Sequence, residues 1–589
     1  MTGLSSALNI SVSSLMFNQT ATSTISHNLA NVNNPDFARQ IVRGESQNIA
    51  GFGSGVSIGA ISRRVDEQLQ AELTGQKAVR SYAENYKRFN ENIEIIFGTP
   101  NSTTDISATL TNAFTQLNNV ANLPESSAQR LNAVNQLQFM SEQLNGMYTD
   151  LIDLQRDIDN EIDNQISIAN NAIKRIEELN IQIAITRNVS LGGQNTNDLE
   201  DERMAQINIL AESVKVNVIY DEDNRAIVNT ESGQQLVTNG GYTQLERTVA
   251  PGPGLYAGIG IRSINSGGTP ASFVLPLDTT NMTGGSMKAL IDVRDTDTVA
   301  ILDQIDEFSS VVIQEFNAVH SRGVGVPPPS SLTSQALTTA GVDLFAEIGL
   351  VPGSTFDISQ VDQATGNVLN TTTVTLPAAP PLSGVGLAAT INAALTGAGF
   401  PATFNATWAA GSLTVQDTTG NSGVVMGNDS DDFLGRIVMN PLFEGTDAST
   451  IQVRPDIVAE PGLLATARMR VADGGLSLNN NANAIELAKI STTNYSFAAA
   501  GGITPQTDSL SGYFSTVKAN LAVNLQDNSR RLEFAQSLET DIATRNASVS
   551  GVNTDEELAN LIVFQNAFQA SSRVITTVDK MFDVLLNII

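Results

Sequence analysis

"LANLIVFQNAFQASSRVITTVDKMFDVLLNII", Leu558 to Ile589, is the stretch on which the fold turns. Leu561, Phe564, Phe568, Ser571, Ile575, Val578, Phe582, Leu585 and Ile589 recur at alternating spacings of three and four. That period predicts a helix with one narrow apolar seam. A helix near a chain end frays unless it docks. The seam is expected either to close the subunit's own core or to pack between subunits.

The opposite end of the sequence offers a partner. Leu4, Leu8, Leu15, Ile25, Leu29 and Val32 fall on heptad-like spacings, interrupted by Ser11, Asn18 and Thr22. Asn33-Asn34-Pro35-Asp36 then stops the helix, because the residue before proline is pushed out of the α region and asparagine competes for backbone hydrogen bonds. A helix with so thin a stripe is marginal alone and needs another helix beside it.

Between these ends the patterning alternates. "GFGSGVSIG", Gly51 to Gly59, reads as a glycine-rich link. Val79, Tyr82, Tyr86, Phe89, Ile93 and Ile96 mark a following helix. From about Ser127 to Thr186 a much longer helix is predicted, with a seam running from Val134 through Leu151 and Ile162 to Ile183. Sixty residues at the helical rise reach roughly 90 Å, which implies a rod packed against other helices. Near Lys215 the pattern switches to alternation, with Asp221–Asn224 as a hairpin turn. Helix resumes from Ser286 to Gly323; residues 324–455, rich in Thr, Gly, Val and Ala with frequent turns, read as all-β. Helix returns near Asn479 and dominates from Ser509 onward.

The expected fold class is multidomain α+β: a long helical, coiled-coil-like trunk built from both chain ends, with β-rich domains inserted in the middle. Residues 1–50 with 546–589 form a terminal helical assembly domain. Residues 51–211, 284–323 and 456–545 form the trunk. Residues 212–283 and 324–455 are the two β-rich inserts.

Composition narrows function. The chain has 589 residues, 61 Asp and Glu against 32 Lys and Arg, and a formal net charge of −29. No basic face is available for nucleic acid. With no cysteine, neither a disulfide framework nor a thiolate site exists. The first basic residue is Arg39, so no Sec-type signal peptide is expected, and no apolar run is long enough for membrane insertion.

Both ends carry a further pattern. "ISHNLANVNNPDFARQ", Ile25 to Gln40, resembles the N-terminal signature of the flagellar axial proteins, the rod, hook and junction subunits. Ala30, Asn31, Asn34, Pro35, Phe37, Arg39 and Gln40 occupy its positions, with Asp36 where Gly is usual and Phe37 where Tyr is usual. Residues 548–589 resemble the matching C-terminal signature through Ser550, Gly551, Val552, Asn553, Glu556-Glu557, Asn560-Leu561 and Gln565 to Ala570. Segments 197–218 and 284–323 resemble internal helical segments of the hook–filament junction members. The resemblance covers roughly two thirds of the chain and leaves 330–455 unplaced.

The resemblance implies a structural subunit, exported through the flagellar type III apparatus, that self-assembles between hook and filament. Its implied partners are further copies of itself, the hook protein, a second junction protein and an export chaperone. The alternative is another flagellar axial protein, the second junction protein or a flagellin-like one, or a secreted adhesin-like protein with a binding module in 330–455.

Little in the sequence points to chemistry. His27 and His320 are the only histidines, each on a helix. Gly252 to Ala257 fits a dinucleotide pattern only loosely and reads as a loop. Asp429–Asp432 cluster carboxylates but lack the turn glycine of a calcium loop. No nucleophile elbow, phosphate loop or zinc motif is present, so neither enzyme activity nor a cofactor is expected.

Overall fold

A computed structural model describes residues 2–49, 52–98, 105–189, 196–252, 255–265, 267–337, 343–468, 475–477 and 479–586. Its principal helices are α1 (Thr2–Ala30), α2 (Glu67–Phe97), α3 (Ile106–Asn122), α4 (Ser127–Val189), α5 (Asn197–Ser213), α6 (Ser286–Asp292), α7 (Thr298–Ser321), α8 (Gly384–Gly397), α9 (Ala482–Lys489), α10 (Leu510–Ser550) and α11 (Thr554–Leu586). Long helices at both ends and a β-rich middle give the expected fold class. The chain divides into two compact units, one of Met1–Phe89, Asp157–Arg294 and Gln526–Ile589, the other of Asn90–Arg156 and Asp295–Leu525.

In the first unit the seam of α4 is buried through Ile158, Ile162, Ala169, Ile176, Leu179 and Ile183. A six-stranded antiparallel meander lies with it: β3 (Val216–Tyr220), β4 (Ala226–Thr230), β5 (Gln235–Thr238), β6 (Gly241–Arg247), β7 (Ile259–Asn265) and β8 (Leu275–Pro276). Two asparagines on α4 tie it to the sheet. Asn170 exchanges both amide hydrogen bonds with the backbone of Leu245, at 2.9 and 2.7 Å. Asn180 does the same with Ala226, at 2.9 and 2.8 Å. Each side chain thus mimics a neighbouring strand and satisfies one backbone pair.

The stretch read as a glycine link is instead a strand. β1 (Gln40–Ile49) and β2 (Phe52–Arg63) form an antiparallel hairpin that packs on α1. Its glycines permit close approach rather than flexibility. A Cβ on Gly55, whose φ is +121°, would stand 2.2 Å from Ser13 Oγ.

In the second unit aromatic rings fill the core: Phe308 stacks with Tyr513, Phe97 with Phe514, and Phe114 with Phe316. Buried Arg130 makes no ion pair among the described residues; it donates to the backbone oxygens of Pro124 and Val326. Residues 331–439 build a separate core of their own around Phe356, Ile358, Leu387, Leu413 and Phe433. It contains two three-stranded sheets, in the orders β11-β10-β14 and β12-β13-β9, from β9 (Ser331–Thr333), β10 (Thr355–Asp362), β11 (Val368–Thr375), β12 (Phe404–Ala409), β13 (Ser412–Asp417) and β14 (Ser422–Gly427).

This region is not all-β, because α8 packs on β11 and β12. Its sequence, "GVGLAATINAALTG", buries Leu387, Ala388, Ile391 and Leu395 at helical spacing, which the flanking glycines concealed. Nor does the region run as one module to residue 455. Asn317 of α7 accepts from the backbone of Leu442 and Phe443, both at 2.8 Å, so that segment docks on α7.

His320 is fully buried on the same helix. Its Nδ1 lies 2.7 Å from the Asn440 oxygen, and its Nε2 accepts the Ala465 N–H at 2.9 Å. Both ring nitrogens are engaged by backbone in the neutral form, a packing role rather than a catalytic one.

Candidate assembly site

The helices at the two ends of the sequence, α1 and α11, pack against each other. The seam on α1 differs from the apolar stripe expected. Its buried positions are Ser11, Asn18, Ala21, Thr24, Ile25 and Asn28, so two of the three residues read as interruptions are buried, Thr22 being half-buried. Their hydroxyls are satisfied locally: Ser11 donates to the Ala7 oxygen at 2.9 Å and Thr24 to the Thr20 oxygen at 3.1 Å. Small side chains that bond back to their own helix permit close helix approach without orphaned polar groups. Across the seam Ser14 Oγ meets Ser571 Oγ at 3.0 Å, and Phe17 meets Phe564 edge-on, with ring centroids 6.1 Å apart.

The expected apolar positions sort unevenly. Ile25 and Val578 are buried. Leu4, Leu8, Leu15, Leu29, Leu561, Phe564, Ile575 and Phe582 are half-buried. Phe568 is exposed, and Val32 lies beyond the end of α1 on an exposed turn. The Leu585 side chain and Ile589 lie outside the described residues.

The signature residues converge beside this pair. Arg39, buried, donates from Nε to Glu557 at 2.7 Å and from a terminal nitrogen to Glu556 at 3.0 Å. The other Glu557 oxygen accepts from Asn28 at 3.0 Å. Asn28 also exchanges two bonds with the backbone of Gln40, both 3.0 Å. The Arg39 N–H donates to the Ser550 oxygen at 2.8 Å. One charged cluster thus joins α1, the start of β1, the end of α10 and the start of α11.

Helix α5 closes the other side. Asp198 accepts from Gln40 at 2.7 Å and sits 3.1 Å from His27 Nε2. Asp201 accepts the Ala38 N–H at 3.3 Å and pairs with Arg63 at 2.7 Å. Burial pushes the Asp201 carboxyl up to about 6, with the Arg63 guanidinium acting against it.

The remaining signature positions shape the two turns. Asn34 N–H donates to the Asn31 oxygen and Phe37 N–H to the Asn34 oxygen, while Pro35 and Ala30 stay exposed. Phe37 is buried edge-on to His27, with ring centroids 5.3 Å apart. A Cβ on Gly551 would stand 2.4 Å from the Ala547 carbonyl oxygen. Asn553 caps α11 by accepting the N–H groups of Asp555 and Glu556 at 3.0 and 3.3 Å. Val552 and Asn560 are half-buried and Gln565 is exposed.

Asn28, Phe17, Arg63, Asp198 and Asp201 escaped the sequence reading. Asn28 lies within "SHNLAN", three turns of helix after Asn18 at the seam's own spacing, a signal that an apolar-only reading discards.

Helix α11 also carries a second, outward stripe. Val563, Ala570, Val574, Met581 and Val584 repeat at helical spacing to one side of the seam, and all are exposed. Elsewhere, the acidic cluster is occupied by the protein itself. Asp429 accepts the N–H groups of Phe433 and Leu434 at 2.7 and 2.8 Å, and Asp432 pairs with Arg322 at 2.7 Å. Among the described residues no group of His, Asp or Glu could hold a metal ion, and no helix is long and apolar enough to cross a membrane.

The chain is similar to known proteins in sequence. Residues 90–330 match the model of the flagellar hook-associated protein FlgK helical domain, and residues 546–588 match the flagellar basal body rod FlgEFG protein C-terminal model. Flagellar hook-associated protein 1 of Escherichia coli is 24% identical over 99% of this chain and 100% of that protein. The Salmonella typhimurium protein of the same name is 23% identical over the same shares. The flagellar hook junction protein FlgK from Burkholderia pseudomallei aligns with 82% of this chain and 100% of its own, at TM-score 0.47 and 17% identity. The match over residues 546–588 is to the C-terminal segment of flagellar axial proteins. Residues 90–330 carry the helical domain of flagellar hook-associated protein FlgK, and along its whole length the chain is similar to flagellar hook-associated protein 1.

Proposed function

We propose that this chain is a non-enzymatic subunit of the hook–filament junction, exported through the flagellar type III apparatus and assembled outside the cell. The hook protein, a second junction protein and neighbouring copies are its partners in place, and an export chaperone is its partner beforehand. The carrying observation is the two-faced α11. Its inner face is docked on α1, while the stripe of Val563, Val574 and Met581 is uncovered. Such a stripe is costly in a free surface and is met by packing against another chain. The signature cluster around Arg39 and Glu557 supports the reading by fixing how α11 presents that stripe.

Val563→Asp tests it. Val563 is exposed, so the purified variant should melt within about 0.5 kcal/mol of the parent. Cells carrying it should keep hooks but fail to retain filaments, releasing flagellin to the medium. Normal filament attachment would count against the reading.

The module within residues 331–439 is proposed to be an outer addition to the trunk. Ser334 and Met439 pair across a single β-bridge, so its ends lie side by side. Replacing residues 335–438 with a short Gly/Ser link should leave the helical melting transition in place, as followed by circular dichroism. Loss of that transition would make the module part of the trunk's core.

A further inference from the structure

The six-stranded meander curls on itself. Gln234, the residue before β5, donates its side-chain amide to the Pro276 oxygen of β8 and accepts the Asp278 N–H, both at 2.9 Å. One amide thus spans the curl, from the β4–β5 turn to the last strand. Gln234 and residues of β5, β6, β7 and β8 line a pocket of about 550 Å³. The mouth of a closed or curled sheet is a common place for a small-molecule site.

The lining selects the kind of ligand. All of it is uncharged, in a chain with 61 Asp and Glu and 32 Lys and Arg. An ion entering there would lose its hydration with no opposite charge to replace it. Ile261, Leu275 and the Tyr242 ring supply apolar wall. The side chains of Gln235, Ser263 and Thr269 and the Tyr242 hydroxyl also line the pocket, and they form no hydrogen bond among the described residues. A purely apolar ligand would cover those groups and leave them unpaired. The backbone edges of these strands are spent on the ladders β5-β6, β6-β7 and β7-β8, so an extended peptide finds no edge on which to add. What fits is an uncharged molecule with hydroxyl or amide groups at its rim and carbon–hydrogen faces. We propose that this pocket binds a neutral oligosaccharide. Gln235, Ser263 and Thr269 are its hydrogen-bonding groups, and Tyr242 is the surface for a ring face. The pocket shares no residue with the cluster around Arg39 and Glu557, so the proposal stands or falls apart from the assembly reading.

Saturation-transfer NMR on the full chain tests it, with maltotriose and N,N′-diacetylchitobiose as neutral probes, sialyllactose as a charged one and N-acetyl-trialanine amide as a peptide. At least one neutral sugar should receive saturation, and the charged sugar and the peptide should receive none. Ala271→Trp places a large ring in the pocket and should abolish the transfer. Ser263→Ala keeps the pocket open and should weaken binding by about three- to tenfold, the worth of one hydrogen bond. Melting followed by circular dichroism confirms that each variant is folded; should the tryptophan variant not fold, the alanine variant decides. No transfer to either neutral sugar would overturn the proposal. So would transfer that both variants leave unchanged, or a peptide or charged sugar that binds in place of the neutral ones.

Discussion

Glu557→Ala should release α11 from α1 and expose both to protease, while the unit bearing His320 keeps its melting transition. Glu557 accepts from Arg39 and Asn28 and is almost fully enclosed. Its removal leaves a guanidinium whose side chain is only 9% exposed with the more exposed Glu556 as its one remaining carboxylate among the described residues, and leaves the Asn28 amide without that acceptor. Breaking one partner of a buried pair costs about 3–5 kcal/mol, more than a thin polar seam can absorb. Hydrogen exchange should accelerate in α1, the hairpin and α11 together. A double change, Arg39→Met with Glu557→Leu, removes both charges and should recover most of the protection. An alanine variant as protected as the parent would show that the cluster does not hold the ends.

Acid should act first on His320. Burial pulls this imidazole down to about 3, with the Asn440 carbonyl opposing and nearby Arg454 adding to the fall. The folded value lies below the unfolded one, near 6.5. Stability from the neutral ring is therefore complete above pH 6.5 and is lost as pH falls through that value toward 3. By pH 4 the loss amounts to about 3 kcal/mol. Protonation turns Nε2 from the acceptor of the Ala465 N–H into a second donor facing it. Hydrogen exchange at Ala465 and at the ends of α7 should rise before that of α11. His320→Gln, which cannot charge, should be less stable at pH 7 but flatter with acid. An unchanged acid slope in that variant would place the titration elsewhere.

The long elements were legible because their seams are long. Eleven positions of α4 from Val134 to Ile183 are buried at the spacing read from the sequence, Tyr148 being only half so. Heptad repetition over that length leaves no competing period. The hairpin was not legible, because glycine in "GFGSGVSIG" signals a turn when the helix it must approach is unknown. The α1 seam was misread for a related reason. Serine and asparagine look like breaks in an apolar stripe until their bonds to their own helix and to the Gln40 backbone are seen. The clasp was half legible. Arg39, Gln40 and Ser550 stood out in the signatures, but Asp198 and Asp201 join them from α5, over 150 residues along the chain.

Direct labelling of purified flagella tests the central claim. An antibody against the exposed module of residues 331–439, viewed by electron microscopy, should mark one narrow band where hook meets filament. Label spread along the filament or over the whole hook, or flagella that carry none, would contradict a junction subunit.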